Sequence, residues 1–324
     1  MDDSTTSSVD SGQADSQPVF EQYLQGLADV SIKLKAAGLA TLSGLNTDQK
    51  AELATAWPAI PVERRREVVQ ELLDLEEDNV EFDFSAVFLE GLGDDDAEVR
   101  LSSVRGLWEY EGVDLIPRLL TLLREDKDAA VRAEAALALG RFVLRSEEGR
   151  LRDRHFNAVD SGLREVISNG DEIEEVRARA IEAIGPHDAA WVRQAISEAY
   201  ESGVRRLKVA AVHAMGRSCE PRWLPLLFRE LSNEEAEVRY EAATALGALG
   251  DESAVTNLVG SLSDPDDEVR QASIAALGEI GGREAREALM DLSREGSPAA
   301  KEAALAALTE IDFEEDPLSF RYRL

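Results

Sequence analysis

One cysteine, Cys219, stands in a chain of 324 residues, so no internal disulfide is available and stability must come from packing. That usage suits a reducing compartment, and a cytoplasmic location is expected. Histidine is almost as scarce. The three occur as His155-Phe156, His187-Asp188 and His213-Ala214, with none next to a glutamate, so no ligand-rich pattern for a metal is present. No apolar run approaches the ~18–20 residues of a membrane helix. The opening Met1-Asp2-Asp3-Ser4-Thr5-Thr6 has neither a basic region nor an apolar one, and no signal peptide is expected. Bases are too few for the acids, 35 against 65, giving a net charge of −30. Such a surface repels phosphate backbones and anionic headgroups, which argues against nucleic-acid and membrane partners. No glycine-rich phosphate loop and no Gly-x-Ser-x-Gly elbow occurs. Cys219 has Arg217 and Arg222 nearby and His213 six residues before it, but no oriented base is evident, and it reads as a lone loop cysteine. No catalytic residue, cofactor or metal is expected, and the chain reads as a non-enzyme.

What the chain does have is repetition. A hydrophobic–basic pair is followed by small residues four and seven positions on, then by Leu and often Gly. Anchors at Val99, Val131, Val176, Leu207, Val238, Val269 and Ala300 are spaced by 32, 45, 31, 31, 31 and 31 residues. A fixed period in this range signals a stacked helical array in which each unit contacts its neighbours. The hydrophobic content of 44%, with only 6% aromatic, fits an ordered chain with small-residue helix contacts. Inner helices are predicted near 97–110, 129–144, 174–184, 204–217, 236–249, 267–280 and 298–311. Outer helices are predicted near 82–92, 113–124, 154–168, 188–201, 221–231, 252–262 and 284–294. Upstream, Thr47 is expected to cap a helix reaching Trp57, and Glu63 to Leu75 to form another. Residues 28–46 remain ambiguous between helix and strand. The organisation expected is a disordered Ser/Asp-rich tail over 1–18 and a solenoid over 19–311. Residues 19–78 form its degenerate cap and 79–311 its seven repeats. An acidic, aromatic tail over 312–324 follows, its Phe320, Tyr322 and Leu324 covering the last repeat.

The residue six before each Arg or Lys is Asp94, Asp126, Asp171, Ser202, Asn233, Asp264 or Glu295. These short acceptors suit helix starts and can also reach the arginine of an adjacent repeat, forming a ladder. The 45-residue spacing implies a 14-residue insertion around Arg141–His155, locally basic in an acidic chain. It reads as an extended helix end, or alternatively as a partner-binding loop.

The turn Asp264-Pro265-Asp266-Asp267-Glu268-Val269-Arg270, followed by small residues, Leu277 and Gly278, resembles HEAT repeats of the short bacterial type related to phycobilisome lyase repeats. The resemblance covers about residues 47–311. It implies an all-α, right-handed α-solenoid of stacked antiparallel helix pairs, with the second helices lining a concave face. It also implies a scaffold or adaptor for other proteins. Bilin lyases have similar repeats, so a chaperone handling a tetrapyrrole-carrying protein is the alternative. Deoxyhypusine hydroxylases also have similar repeats, but their paired His-Glu ligands have no counterpart here.

Helical period places positions 2, 3, 6 and 10 after each anchor outward. On this reading Leu101, Ser102, Val209 and Ala272 face solvent. So do Arg105, Arg141, Arg179, His213, Arg217 and Tyr240, with Trp108 and Tyr110 extending the set. Arginine and aromatic residues are enriched at protein-binding hot spots. These eight are therefore the candidate partner-binding residues, with the four arginines as a basic stripe for an acidic segment of an unidentified protein partner. The competing expectation is that each arginine pairs with a nearby acid such as Glu109, Glu134 or Glu182.

Overall fold

The structure is a computed structural model that describes residues 17–315. Most of the N-terminal tail, and Phe320, Tyr322 and Leu324, fall outside the described residues. Gln17 and Pro18, assigned to the tail by composition, instead open the first helix. Among the described residues there are eighteen α-helices and no strand, and no helix is long and apolar enough to cross a membrane. The chain is an α-solenoid. It divides into two compact units, Met1–Ala138 and Leu139–Leu324.

The first unit holds α1 (Gln17–Leu27), α2 (Ala36–Leu39), α3 (Thr47–Ala56), α4 (Val62–Asp78), α5 (Ser85–Gly91), α6 (Ala97–Gly106), α7 (Leu115–Glu125) and the start of α8 (Ala129–Glu147). Thr47 is not the cap of α3. Asn46 is, because its side chain accepts from Gln49 N while Gln49 answers with its own side chain to Asn46 N, satisfying two end donors at once. The ambiguous stretch before it is held in a short helical turn and loop by Arg64. That guanidinium, 2% exposed, donates to the carbonyls of Asp29 at 3.0 Å and Ile32 at 2.5 Å. The core joins the α4 stripe of Val68, Val69 and Leu72 to Phe84, Phe88 and Leu107, all buried.

The second unit completes α8 and adds α9 (Asp153–Ser168), α10 (Glu174–Ile184), α11 (Ala190–Glu201) and α12 (Arg205–Arg217). It continues with α13 (Leu224–Glu230), α14 (Ala236–Leu249), α15 (Val255–Ser261), α16 (Asp267–Ile280), α17 (Gly282–Glu295) and α18 (Pro298–Glu315). Most of the insertion is helical. α8 runs on to Glu147 and buries Phe142 and Val143, and α9 starts at Asp153, leaving only a short connection. α18 likewise continues through Asp312, expected to be in a flexible tail, where Arg286 Nη1 meets Asp312 Oδ1 at 2.6 Å.

The inner helices α10, α12, α14, α16 and α18 pack side by side in order. The recurrent Ala-x-Gly explains how close they come. The glycine nine after each anchor faces the alanine seven after the next. A Cβ on Gly216 would lie 2.6 Å from Ala245 Cα, and one on Gly247 2.8 Å from Ala276 Cα. At Gly278 the nearest atom is the Ala307 Cβ at 3.0 Å, with Cα farther at 3.5 Å. Gly216→Ala is therefore expected to lose stability. Overpacking against backbone costs about 1–3 kcal/mol and outweighs the ~1 kcal/mol helix-propensity gain of Ala over Gly. Gly278→Ala should be nearly neutral. Thermal unfolding of the two variants checks the order; equal behaviour would mean that the helices can slide apart at no cost.

This packing also corrects the outward positions. Ser102, Val209 and Ala272 are buried. An inner helix in the stack meets its outer partner and its inner neighbours, so its buried arc is wider than a single amphipathic stripe.

Candidate functional site

The Asp–Arg pattern forms charge pairs between successive turns in both units. In the first, Arg65 donates to both carboxylate oxygens of Asp94 at 2.6 and 3.0 Å, and Arg100 to both of Asp126 at 2.6 and 2.8 Å. In the second, Arg239 grips Asp264 through two 2.8 Å bonds. Each planar fork meets its carboxylate bidentately. Arg100, Arg239 and Arg270 also donate to the main-chain carbonyl six residues earlier, at 2.7, 2.9 and 2.6 Å. Arg100 and Arg239 thus tie their own turn to the next. The Arg239 guanidinium holds the Asp264 carboxyl below the usual carboxylate range.

The helix caps sit two residues beyond the ladder aspartates. Asp94, Asp126 and Asp264 each accept from the N–H two residues on at 2.9 Å, whereas Asp96 and Asp266 cap α6 and α16. Where the pattern has Lys208 in place of arginine and Asn233 in place of aspartate, another acid serves. Glu230, 3% exposed, accepts from Lys208 Nζ at 2.8 Å and Asn233 Nδ2 at 2.5 Å, and also from the Tyr200 hydroxyl. Period alone did not reveal Glu230, although Ser202, Lys208 and Asn233 marked the departure.

The candidate partner-binding residues fall into two sets. In the first unit Arg105 follows the ion-paired expectation, its Nε being 3.0 Å from Glu134 Oε2. Trp108, just past α6, is 70% exposed. Tyr110 donates its hydroxyl to Asp114 at 3.1 Å. In the second unit Arg179 pairs with Glu175 and Glu182 at 2.9 Å each, and Arg206 pairs with the same two acids at 2.5 and 2.8 Å. That four-charge cluster is balanced. Arg141 is half-buried with its guanidinium 5.1 Å from the Phe142 ring, and burial, then the Arg145 charge, pulls its pKa down to about 10. His213 Nδ1 lies 3.3 Å from Glu241. Arg217 and Tyr240 are exposed. The arginines thus differ in state and do not present a uniform basic stripe. Cys219 is exposed at positive φ of 54° in the turn after α12. Among the described residues no three His, Cys, Asp or Glu side chains converge as metal ligands.

Solved structures with similar chain paths include the complex of CpcE and CpcF of phycocyanin lyase from Nostoc. It is 18% identical, with 88% of this chain and 96% of that chain covered and a TM-score of 0.50. YibA of Escherichia coli is 20% identical, with 74% and 96% covered and a TM-score of 0.45. Human deoxyhypusine hydroxylase in complex with glycerol is 19% identical, with 91% and 98% covered and a TM-score of 0.35. At 18% identity the likeness to the CpcE and CpcF complex is one of fold. No curated protein matches the chain. A family model described as HEAT repeats matches residues 85–151 and 224–309.

Proposed function

Because this chain is a HEAT-repeat protein, we propose that it is a non-catalytic scaffold or adaptor that binds another protein on its inner-helix side. The observation that carries this reading is the exposure of large aromatic side chains beside fully ordered core. Trp108 is 70% exposed next to Leu107 at 0%, and Tyr240 is 38% exposed two residues after Val238 at 1%. Folding gains little from rings placed this way, whereas binding would gain the area that makes aromatic residues hot spots. In the second unit Tyr240 and Arg217 lie on α14 and α12, which pack together, so one partner surface can use both.

Affinity capture on full-length protein tests the reading. Arg217→Glu with Tyr240→Ala is expected to weaken capture of a protein partner by roughly tenfold or more. Glu302→Lys with Glu310→Lys, on exposed positions of α18, should leave it unchanged. Equal retention by both variants would remove this surface from the proposal. Visible absorbance co-purifying with the chain would replace the scaffold reading with the handling of a tetrapyrrole-carrying protein.

A further inference from the structure

Within the first unit, the end of α4, the connection before α5 and the turn after α6 enclose a cleft of about 710 Å³. Its apolar lining is Leu73, Val80, Phe82, Trp108 and Tyr110. Part of that lining is fixed before anything binds. Phe82 stacks on buried Phe84 with ring centroids 5.3 Å apart, and Glu76 Oε1 accepts the Phe84 N–H at 3.1 Å. Asp114 holds the Tyr110 hydroxyl, and the Tyr110 ring covers Gly112, where a Cβ would come within 2.4 Å of it. Val80 and Trp108 are left 89% and 70% exposed.

The charges around the cleft are mostly negative. Glu76, Glu77, Asp83, Glu109 and Glu111 line the cleft, against Arg105, which already faces Glu134 at 3.0 Å. Burial lifts the Glu76 carboxyl above its ordinary range; the Phe84 N–H opposes that lift, and the charges of Asp83 and Glu109 add to it. A phosphate backbone or anionic headgroup is repelled from such a rim. A cation is drawn to it, and an ammonium or guanidinium can also rest on the Trp108 face.

We propose that this cleft docks a segment of a protein partner in which lysine or arginine alternates with apolar side chains. The inference rests on the scaffold reading and adds the partner's chemistry. That chemistry is the reverse of the acidic segment expected from a basic stripe. Apolar side chains of the segment cover Val80, Phe82 and Trp108, and its cations meet the carboxylates. Because Phe84 and Asp114 hold Phe82 and Tyr110 in place, that part of the lining needs no further ordering on binding.

The test uses full-length protein and three fluorescein-labelled octapeptides: alternating Leu-Lys, alternating Ser-Lys and alternating Leu-Glu. The Leu-Lys peptide should bind roughly tenfold or more tighter than Ser-Lys, and Leu-Glu should not bind. Trp108→Ala and Val80→Ser, both at exposed positions where folding is little affected, should each weaken Leu-Lys binding, Trp108→Ala by roughly tenfold. Glu77→Lys with Glu109→Lys should do the same, and the affinity of the unaltered protein should fall as salt rises. Glu302→Lys with Glu310→Lys should have little effect. Equal binding of Leu-Lys and Ser-Lys, indifference to Trp108→Ala, or equal losses from the two charge-reversed pairs would overturn the proposal, since attraction to a net charge of −30 would then suffice. Arg217 and Tyr240 lie in the other unit. Partner capture that survives an inert cleft sinks the cleft alone, and a failed capture at Arg217 and Tyr240 leaves the peptide result to stand or fall by itself.

Discussion

Leu277→Ala is expected to destabilise the second unit by about 2–5 kcal/mol, toward the upper half of that range. Leu277 has 0% exposure in α16, and its immediate neighbours Ala276 and Gly278 are buried too. Ala276 closes on Gly247 of α14, and Gly278 on Ala307 of α18. Helices fixed on both sides by contacts this short cannot collapse into the space a leucine leaves, so the cavity term adds to the lost transfer energy. In a repeat array coupling runs mainly between neighbours. Hydrogen exchange should therefore show the loss concentrated in α14 to α18, with α3 to α6 little changed. A uniform fall in protection from α3 to α18 would show that the chain unfolds as one block.

Asp264→Asn should cost about 3 kcal/mol, the low end for breaking a largely buried ion pair. The side chains of Arg239 and Asp264 are 11% and 8% exposed, and Arg239 keeps the Asn233 and Glu234 carbonyls at 2.9 and 3.1 Å as residual partners. Asparagine retains an oxygen for the Asp266 N–H, so the substitution probes charge rather than the turn. The pH dependence gives a second readout. The Asp264 carboxyl is held below its ordinary value, so its contribution is fully present above the unfolded pKa of about 3.9 and is lost as pH falls through the folded value. The gap between unaltered protein and Asp264→Asn should thus be widest near neutrality and close in acid. Urea unfolding from pH 7 to pH 3 measures it. A gap independent of pH would assign the loss to the asparagine's geometry. Arg239→Met combined with Asp264→Asn should recover part of the stability, because two apolar or neutral groups leave no stranded charge.

The ladder belongs to the part of the fold that is legible in the sequence. The 31-residue period predicted the inner helices to within a few residues, and α10, α14 and α16 match their expected spans. Period works there because each repeat solves the same local problem: a turn acceptor, a helix start, small residues where backbones meet and a leucine between layers. The irregular parts were less legible. Residues 28–46 have no period, and their course depends on Arg64 reaching back to two carbonyls. The insertion read as either helix or loop, and only the burial of Phe142 and Val143 decided for helix.

For the candidate site, composition and helical phase named Arg105, Trp108, Tyr110, Arg141, Arg179, His213, Arg217 and Tyr240 but gave nothing of their surroundings. Charge on an isolated sequence position says nothing about what stands opposite it. Glu134 faces Arg105 across 29 positions, and Arg206 shares Glu175 and Glu182 with Arg179. Likewise Trp108 shares a cleft with Glu77 and Phe82, residues far from it in sequence, in the unit where α4 and α6 pack together. The repeat, its helices and the Asp–Arg turn chemistry follow from the residue pattern alone, because all of them are set by contacts within one period or to its nearest copy. The tertiary structure decided which arginines are neutralised and that the exposed tryptophan lies among carboxylates, because those pairings join elements whose separation along the chain no local pattern encodes.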